Sequence, residues 1–238
     1  MKKILISVAI MFVSGALHAQ SGYPNKPITL VVPYPVGGSN DVFARLIAKS
    51  LGEALKVAVV VDNRPGASGS TGTLQVSKAA PDGYTLLAVS SSMTTNAAIQ
   101  EKSGFDPTKN LTAIAMLAKG PFIVAVNDSF PAKDPKQLVA LLKANPGKYN
   151  YASSGTGSSN QFATELMKVM SGTFALHIPY RGMGPAVTDL IGGQTQILLA
   201  SGPSLLPQVR NGRIRAIGIT SLKPSPIAPE LIPMATAI

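Results

Sequence analysis

Three loops of this chain carry residues whose types and spacing suit anion binding. The first lies in Ile28-Thr-Leu-Val-Val-Pro-Tyr-Pro-Val-Gly-Gly-Ser-Asn-Asp41, where an apolar strand meets a proline-fixed bend and two glycines ahead of a helix. Gly37 and Gly38 lack Cβ, so the backbone turns sharply and approaches a ligand closely. Ser39, Asn40 and Asp41 are placed to cap that helix. Its first N–H groups have no partner within the helix and sit at the positive end of the dipole, which suits a carboxylate or a phosphate. The second loop is Ser90-Ser-Ser-Met-Thr-Thr-Asn96 and the third Ser153-Ser-Gly-Thr-Gly-Ser-Ser-Asn160. Each offers small hydroxyls at an expected helix start. Ser, Thr and Asn serve equally as plain N-caps in any one loop. Three such loops at strand ends, facing each other across a hinge, would clamp an anionic small molecule.

Catalytic chemistry finds little to work with. Of the two histidines, His18 lies in the N-terminal leader, and His177 sits in Phe174-Ala-Leu-His-Ile-Pro-Tyr180, where a structural role at a strand end competes with a general base. No serine stands in a G-x-S-x-G elbow. With zero cysteines and dispersed carboxylates, no metal-ligand spacing occurs, and neither a metal nor a cofactor is expected. Gly155-Thr-Gly157 lacks the third glycine of a dinucleotide fingerprint. Gly66-Ala-Ser-Gly-Ser-Thr-Gly72 could cradle phosphate or merely close a strand-to-helix turn. An enzyme built on that loop would have to draw acid–base help from Tyr180, Arg181 and Asp189.

Residues 1–19 read as a secretory signal peptide: Lys2 and Lys3, an apolar Ile4 to Val13, then small residues to Ala19. The exported chain is expected to be soluble, with no membrane insertion. The net charge is +10, or +8 without Lys2 and Lys3. Its basic residues are scattered and lack interleaved aromatics, so no nucleic-acid partner is expected. A positive field still favours acidic small molecules.

To hold the three loops, apolar β-branched runs alternate with helical patterns, the sign of parallel βα units. Expected strands are Ile28 to Tyr34, Val57 to Asp62, Thr85 to Ser90, Phe122 to Asn127, Tyr149 to Ser153, Ala175 to Pro179, Gln196 to Ser201 and Ile214 to Thr220, each covered on both faces. The first helix should bury Val42, Phe43, Leu46, Ile47, Leu51, Ala54 and Leu55 and expose Arg45, Lys49 and Glu53. A second should cover Thr73 to Ala80, a third should run from Pro135 to Asn145, and others should start near Ser158, Gly184 and Pro203. Lys119-Gly120-Pro121 is a hinge candidate, giving a first lobe over 20–120 and a second over 121–220. The proline-rich stretch 221–238 shows no clear element.

The blocks Tyr23 to Asp41, Val60-Val-Asp-Asn-Arg-Pro-Gly66, Ala79-Ala-Pro-Asp-Gly-Tyr-Thr-Leu87, Asn150-Tyr-Ala-Ser-Ser-Gly155 and His177-Ile-Pro-Tyr-Arg-Gly182 together resemble the tripartite tricarboxylate transporter solute-binding proteins, the Bug family. The resemblance implies an α/β, two-lobed periplasmic binding protein (type II-like), with parallel-rich sheets flanked by helices. It implies a receptor, not an enzyme, that closes on a small carboxylate and delivers it to membrane permease subunits. A periplasmic sensor for a signalling partner would share the same site. The implied ligand-binding set is Tyr34, Gly37, Gly38 and Asp41, which would hold bridging waters, then Ser90, Ser91, Ser92 and Asn96, then Ser154, Gly155, Thr156, Ser158 and Asn160, with Tyr180 and Ser201 beside them. Ala200 stands where many relatives carry an acidic residue, which argues against an amino-acid ligand. Relatives also continue past residue 238 to complete the first lobe, so 221–238 reads as the start of that return, the first lobe as incomplete, and the chain as truncated and poorly soluble alone.

Overall fold

The β-branched runs become strands of two separate sheets, and the serine- and glycine-rich segments become the loops between strands and helices. A computed structural model describes residues 22–99 and 104–238, so the expected signal peptide lies outside the described residues. The first sheet takes β1 (Ile28–Val32), β2 (Val59–Asn63) and β3 (Thr85–Leu87) in the order β2-β1-β3, all parallel. Its connecting helices are α1 (Ser39–Leu55) and α2 (Ser70–Ser77), and α3 (Ser92–Ile99) follows β3.

The second sheet is larger. Its strands are β4 (Phe122–Asn127), β5 (Asn150–Ser153), β6 (Leu176–Pro179), β7 (Ile197–Ser201) and β8 (Ile214–Ile219), in the order β6-β5-β7-β4-β8. Helices α4 (Pro135–Ala144), α5 (Ser159–Ser171), α6 (Met183–Ile191) and α7 (Gly202–Arg210) connect them. β5 runs parallel to β6 and β7, whereas β4 runs antiparallel to both its neighbours, β7 and β8. The chain enters β4 from an extended stretch with no regular structure over 111–121 instead of from a crossover helix, which frees β4 from the parallel direction. All eight strands lie where the apolar runs put them; β1, β3 and β8 stop one to three residues short, and β2, β5, β6 and β7 start one or two residues late. Pro33, which has no N–H to donate, ends β1.

Most of the described core lies in the second sheet. Ile123, Val124, Ala125 and Val126 of β4 and Ile197, Leu198, Leu199 and Ala200 of β7 are fully buried, with helices on both faces. Full burial of each such aliphatic side chain contributes about 1.5–3 kcal/mol. The first sheet has a smaller core of Leu30, Val32, Ala44, Ala48 and Ala88, and β2 is only half-buried. Coverage on both faces therefore holds for β4 and β7 but not for β2, where Val60 is exposed.

Helix α1 also departs from expectation. Its buried positions are Asp41, Ala44 and Ala48, while Val42 and Leu46 are exposed. The apolar stripe is wider than the three-stranded sheet it packs on, so the small alanines take the contact. Helix α2 begins at Ser70 and not at Thr73, because the glycine-rich turn before it closes sooner. The tail stays on the second sheet: Ile219 bridges Pro233, and Ala228, Leu231 and Met234 are buried against its two core faces. Among the described residues, no helix is long and apolar enough to cross a membrane.

Candidate functional site

The carboxyl ends of both sheets open on one cavity of about 1730 Å³. Helix α3 begins at it, with Ser90 Oγ accepting from Ser92 N at 3.3 Å, and five further described helices begin there too. Their N-cap residues, Gly38 of α1, Gly69 of α2, Ser158 of α5, Gly182 of α6 and Ser201 of α7, all line the cavity, and none makes a side-chain cap. Helix α4 begins elsewhere and is capped in full. Asp134 Oδ1 accepts from Gln137 N at 2.8 Å, and Gln137 Oε1 accepts from Lys133 N at 2.9 Å. The serines expected as caps are thus spent on other bonds where the cavity is: Ser158 Oγ donates to Gly155 O at 2.6 Å and Ser201 Oγ to Ser39 Oγ at 2.8 Å. Ser39, Asn40 and Asp41 do not cap α1, because the chain already turns helical at Ser39.

Each expected site residue has a definite place. Tyr34, Gly38, Ser90, Ser91, Ser92, Ser154, Gly155, Thr156, Ser158, Asn160, Tyr180 and Ser201 line the cavity, while Gly37, Asp41 and Asn96 do not. Asp41 is buried behind the first loop. Its carboxylate accepts from Gly37 N, Arg45 Nε and Asn63 Nδ2, each at 3.0 Å. Asn63 also donates to Tyr34 O at 3.1 Å, so Asp41 fixes the bend from below. Burial alone would push the Asp41 carboxyl up, but hydrogen bonds from Arg45, Gly37 and Asn63 together with the Arg45 charge outweigh it and hold the pKa below its ordinary value. Asn96 is likewise buried, and its Nδ2 donates to Ala67 O at 2.9 Å, pinning the turn before α2.

Within the lining set, Tyr34 Oη and Ser90 Oγ share a 2.9 Å hydrogen bond, and burial raises the Tyr34 pKa. Ser154 Oγ donates to Asn160 Oδ1 at 2.9 Å, which leaves Asn160 Nδ2 as a buried donor without a protein partner. Tyr180 Oη donates to Asp189 Oδ2 at 2.7 Å, and burial with the Asp189 charge pushes its pKa up to about 12. Tyr180 is thereby held as a neutral donor. Ala200 is fully buried in the sheet core and does not line the cavity, whereas Ser201, one position on, does.

Other cavity residues are less visible in the sequence. Ser39 accepts from Ser201 Oγ at 2.8 Å, across the two sheets. Ser68 Oγ donates to Thr156 O and Thr95 Oγ1 to Gly157 O, both at 2.7 Å, and Ser159 N donates to Ser92 Oγ at 3.0 Å. These bonds seam the two lobes together. Ala67 and Ser68 hold left-handed φ of 45° and 52°, a strain that the glycine-rich sequence hinted at without saying which residues bear it. No Asp or Glu lines the cavity among the described residues, whereas Lys119, Arg181 and Arg210 do.

His177 stands apart from the cleft. Its Nε2 bonds Ser153 Oγ at 2.6 Å, its ring stacks on Tyr151 at 4.9 Å, and its Nδ1 meets Gln161 Nε2 at 3.3 Å. Burial lowers its pKa, with Glu165 opposing and Lys168 assisting. It is a strand-end structural histidine that steadies Ser153, which in turn accepts from Gly155 N at 3.1 Å.

A family model described as "Tripartite tricarboxylate transporter family receptor" matches residues 43–236. Protein BugT of Bordetella pertussis is 35% identical over 240 residues, covering 99% of this chain and 74% of its own length. Among solved structures, R. palustris Rpa4515 with adipate superposes with a TM-score of 0.88 at 32% identity, over 91% of this chain and 73% of that one. MatC from Rhodopseudomonas palustris with bound malate gives a TM-score of 0.84 at 27% identity, over 90% and 74%.

Proposed function

As the chain belongs to the tripartite tricarboxylate transporter receptor family, we propose that its cleft captures a small dicarboxylate and presents it to the membrane subunits of such a transporter. One observation carries the reading: five uncapped helix N-termini converge on a cavity whose described lining holds no carboxylate. Each N-terminus favours a negative charge by about 0.3–1 kcal/mol, more where it is partly buried. The hydroxyls of Ser90, Ser91 and Thr156 and the Asn160 Nδ2 donor supply directional bonds, and Arg181 and Arg210 neutralise a second carboxylate. An amine would meet no counter-charge there. Adipate and malate, bound by the two solved neighbours, set the expected size class.

In this reading residues 1–19 direct export to the periplasm and are removed. The lobes divide near Lys119-Gly120-Pro121, and closure about that hinge is stabilised in proportion to the ligand's preference for the closed state. Thermal melting with mono-, di- and tricarboxylates tests the proposal. A ligand at about 100 times its dissociation constant adds about 2.7 kcal/mol. For a chain of this size that raises Tm by roughly 5–10 °C. A dicarboxylate should give that shift, and the amino-acid analogue of the same length should not. A flat response to every acid overturns the reading.

A further inference from the structure

The outer face of α5 and the adjoining edge strand β6 form a patch that ligand capture does not use. Phe162, Leu166, Val169 and Met170 on α5 recur at helical spacing, and Phe174 and Leu176 continue the stripe onto β6. Their exposures run from 41% at Phe162 to 78% at Val169. Together they present on the order of 700 Å² of apolar surface, above the ~300–600 Å² of a typical monomer's largest patch. The stripe bears no free charge: the two ionic groups of α5, Glu165 and Lys168, close on each other at 2.8 Å. Lys168 Nζ also lies 5.0 Å from the Phe174 ring centroid, covered instead of presented. Lys148 stands at the rim, beyond Gly147, whose missing Cβ would face the Phe174 ring at 3.8 Å.

We propose that this α5–β6 face is the contact between two copies of this chain in a two-fold dimer. Charge decides between occupants. Without Lys2 and Lys3 the chain carries +8, so a partner of opposite sign would be drawn to its basic residues and away from a neutral stripe. A second copy brings the same positive charge, and the neutral stripe lets two copies meet without opposing like charges. Area agrees: two such faces bury about 1,400 Å², within the ~1,200–2,000 Å² of specific interfaces. Geometry agrees as well. A helical stripe is self-complementary about a two-fold axis, and β6 ends its sheet with an unpaired outer edge beside the stripe.

The chain contains no cysteine, so single cysteines report on this contact cleanly. L166C and M170C should each form a disulfide-linked dimer on mild oxidation in the cells that express the chain. K136C, on the exposed side of α4, should not. Light scattering of the purified chain should give twice the monomer mass at micromolar concentration, and L166K/V169K should weaken association at least tenfold with an unchanged far-UV spectrum. A monomeric mass at every concentration, or cross-linking no greater at 166 and 170 than at 136, overturns the dimer. So does a monomer whose L166K/V169K variant loses retention on vesicles bearing the transporter's membrane subunits, which would make this the transporter face.

Discussion

Asp41 shows how a residue can hold a cavity loop in place without lining the cavity. Its carboxylate gathers Gly37, Arg45 and Asn63 under the bend, and its folded pKa lies below the ordinary value of 3.8. A depressed carboxylate pKa adds stability above the unfolded value, and that contribution is lost as pH falls through the folded one. Asp41→Asn should therefore cost about 1.5–3 kcal/mol near pH 7, the usual worth of hydrogen bonds to a charged group. The difference from wild type should shrink below about pH 4, as the wild-type carboxyl protonates. Urea unfolding at pH 7 and pH 3 measures both; an equal loss at the two values would refute the assignment. The sequence makes Ser90, Ser154 and Asn160 legible as cavity residues because three loops rich in hydroxyls, all at strand ends, exceed what helix capping alone requires. Asp41 is harder to read. A carboxylate two residues into a helix looks the same whether it faces a ligand or, as here, the Arg45 one turn on and the Asn63 of the next strand.

Helix ends give the clearest contrast at the level of elements. Asp134 and Gln137 cap α4, away from the cleft, whereas α1, α2, α5, α6 and α7, which open on the cavity, have no such cap. Asp134→Ala should lower stability by about 1 kcal/mol. It should leave carboxylate affinity unchanged in isothermal titration calorimetry; a parallel loss of affinity would mean that α4 couples to the site. Strand positions are readable from β-branched runs, and helix starts from the turns before them. The reversed direction of β4 is not, because direction depends on the path by which the chain enters, and residues 111–121 have no periodicity to reveal it. Nor does the stripe of α1 disclose that alanines, not Val42 and Leu46, make the contact. Periodicity reports which faces are apolar, and the width of the sheet decides how much of that face is covered.

For the molecule as a whole, small groups meet across the cleft. Gly157, at φ +81°, receives Thr95 and lies so close to α3 that a Cβ would come within 2.2 Å of Asn96 Oδ1 and 2.9 Å of Ile99 Cδ1. Gly157→Ala should hold the lobes apart and weaken ligand binding at least tenfold. Gly172→Ala bears a comparable left-handed φ of +61° with open space around it, so it should lose about 1–3 kcal/mol of stability through strain alone and keep its affinity. Equal affinities for the two variants in calorimetric titration would refute closure at Gly157. The converging helix ends have a further consequence. Backbone N–H groups cannot be removed by exchanging one side chain for another, proline apart, so the proposed grip on an anion would be shielded from most point mutations while the surrounding walls stay free to change. Cavities of this design can be retargeted from one acid to the next by few substitutions, and an alanine scan of their lining will consistently understate what holds the ligand.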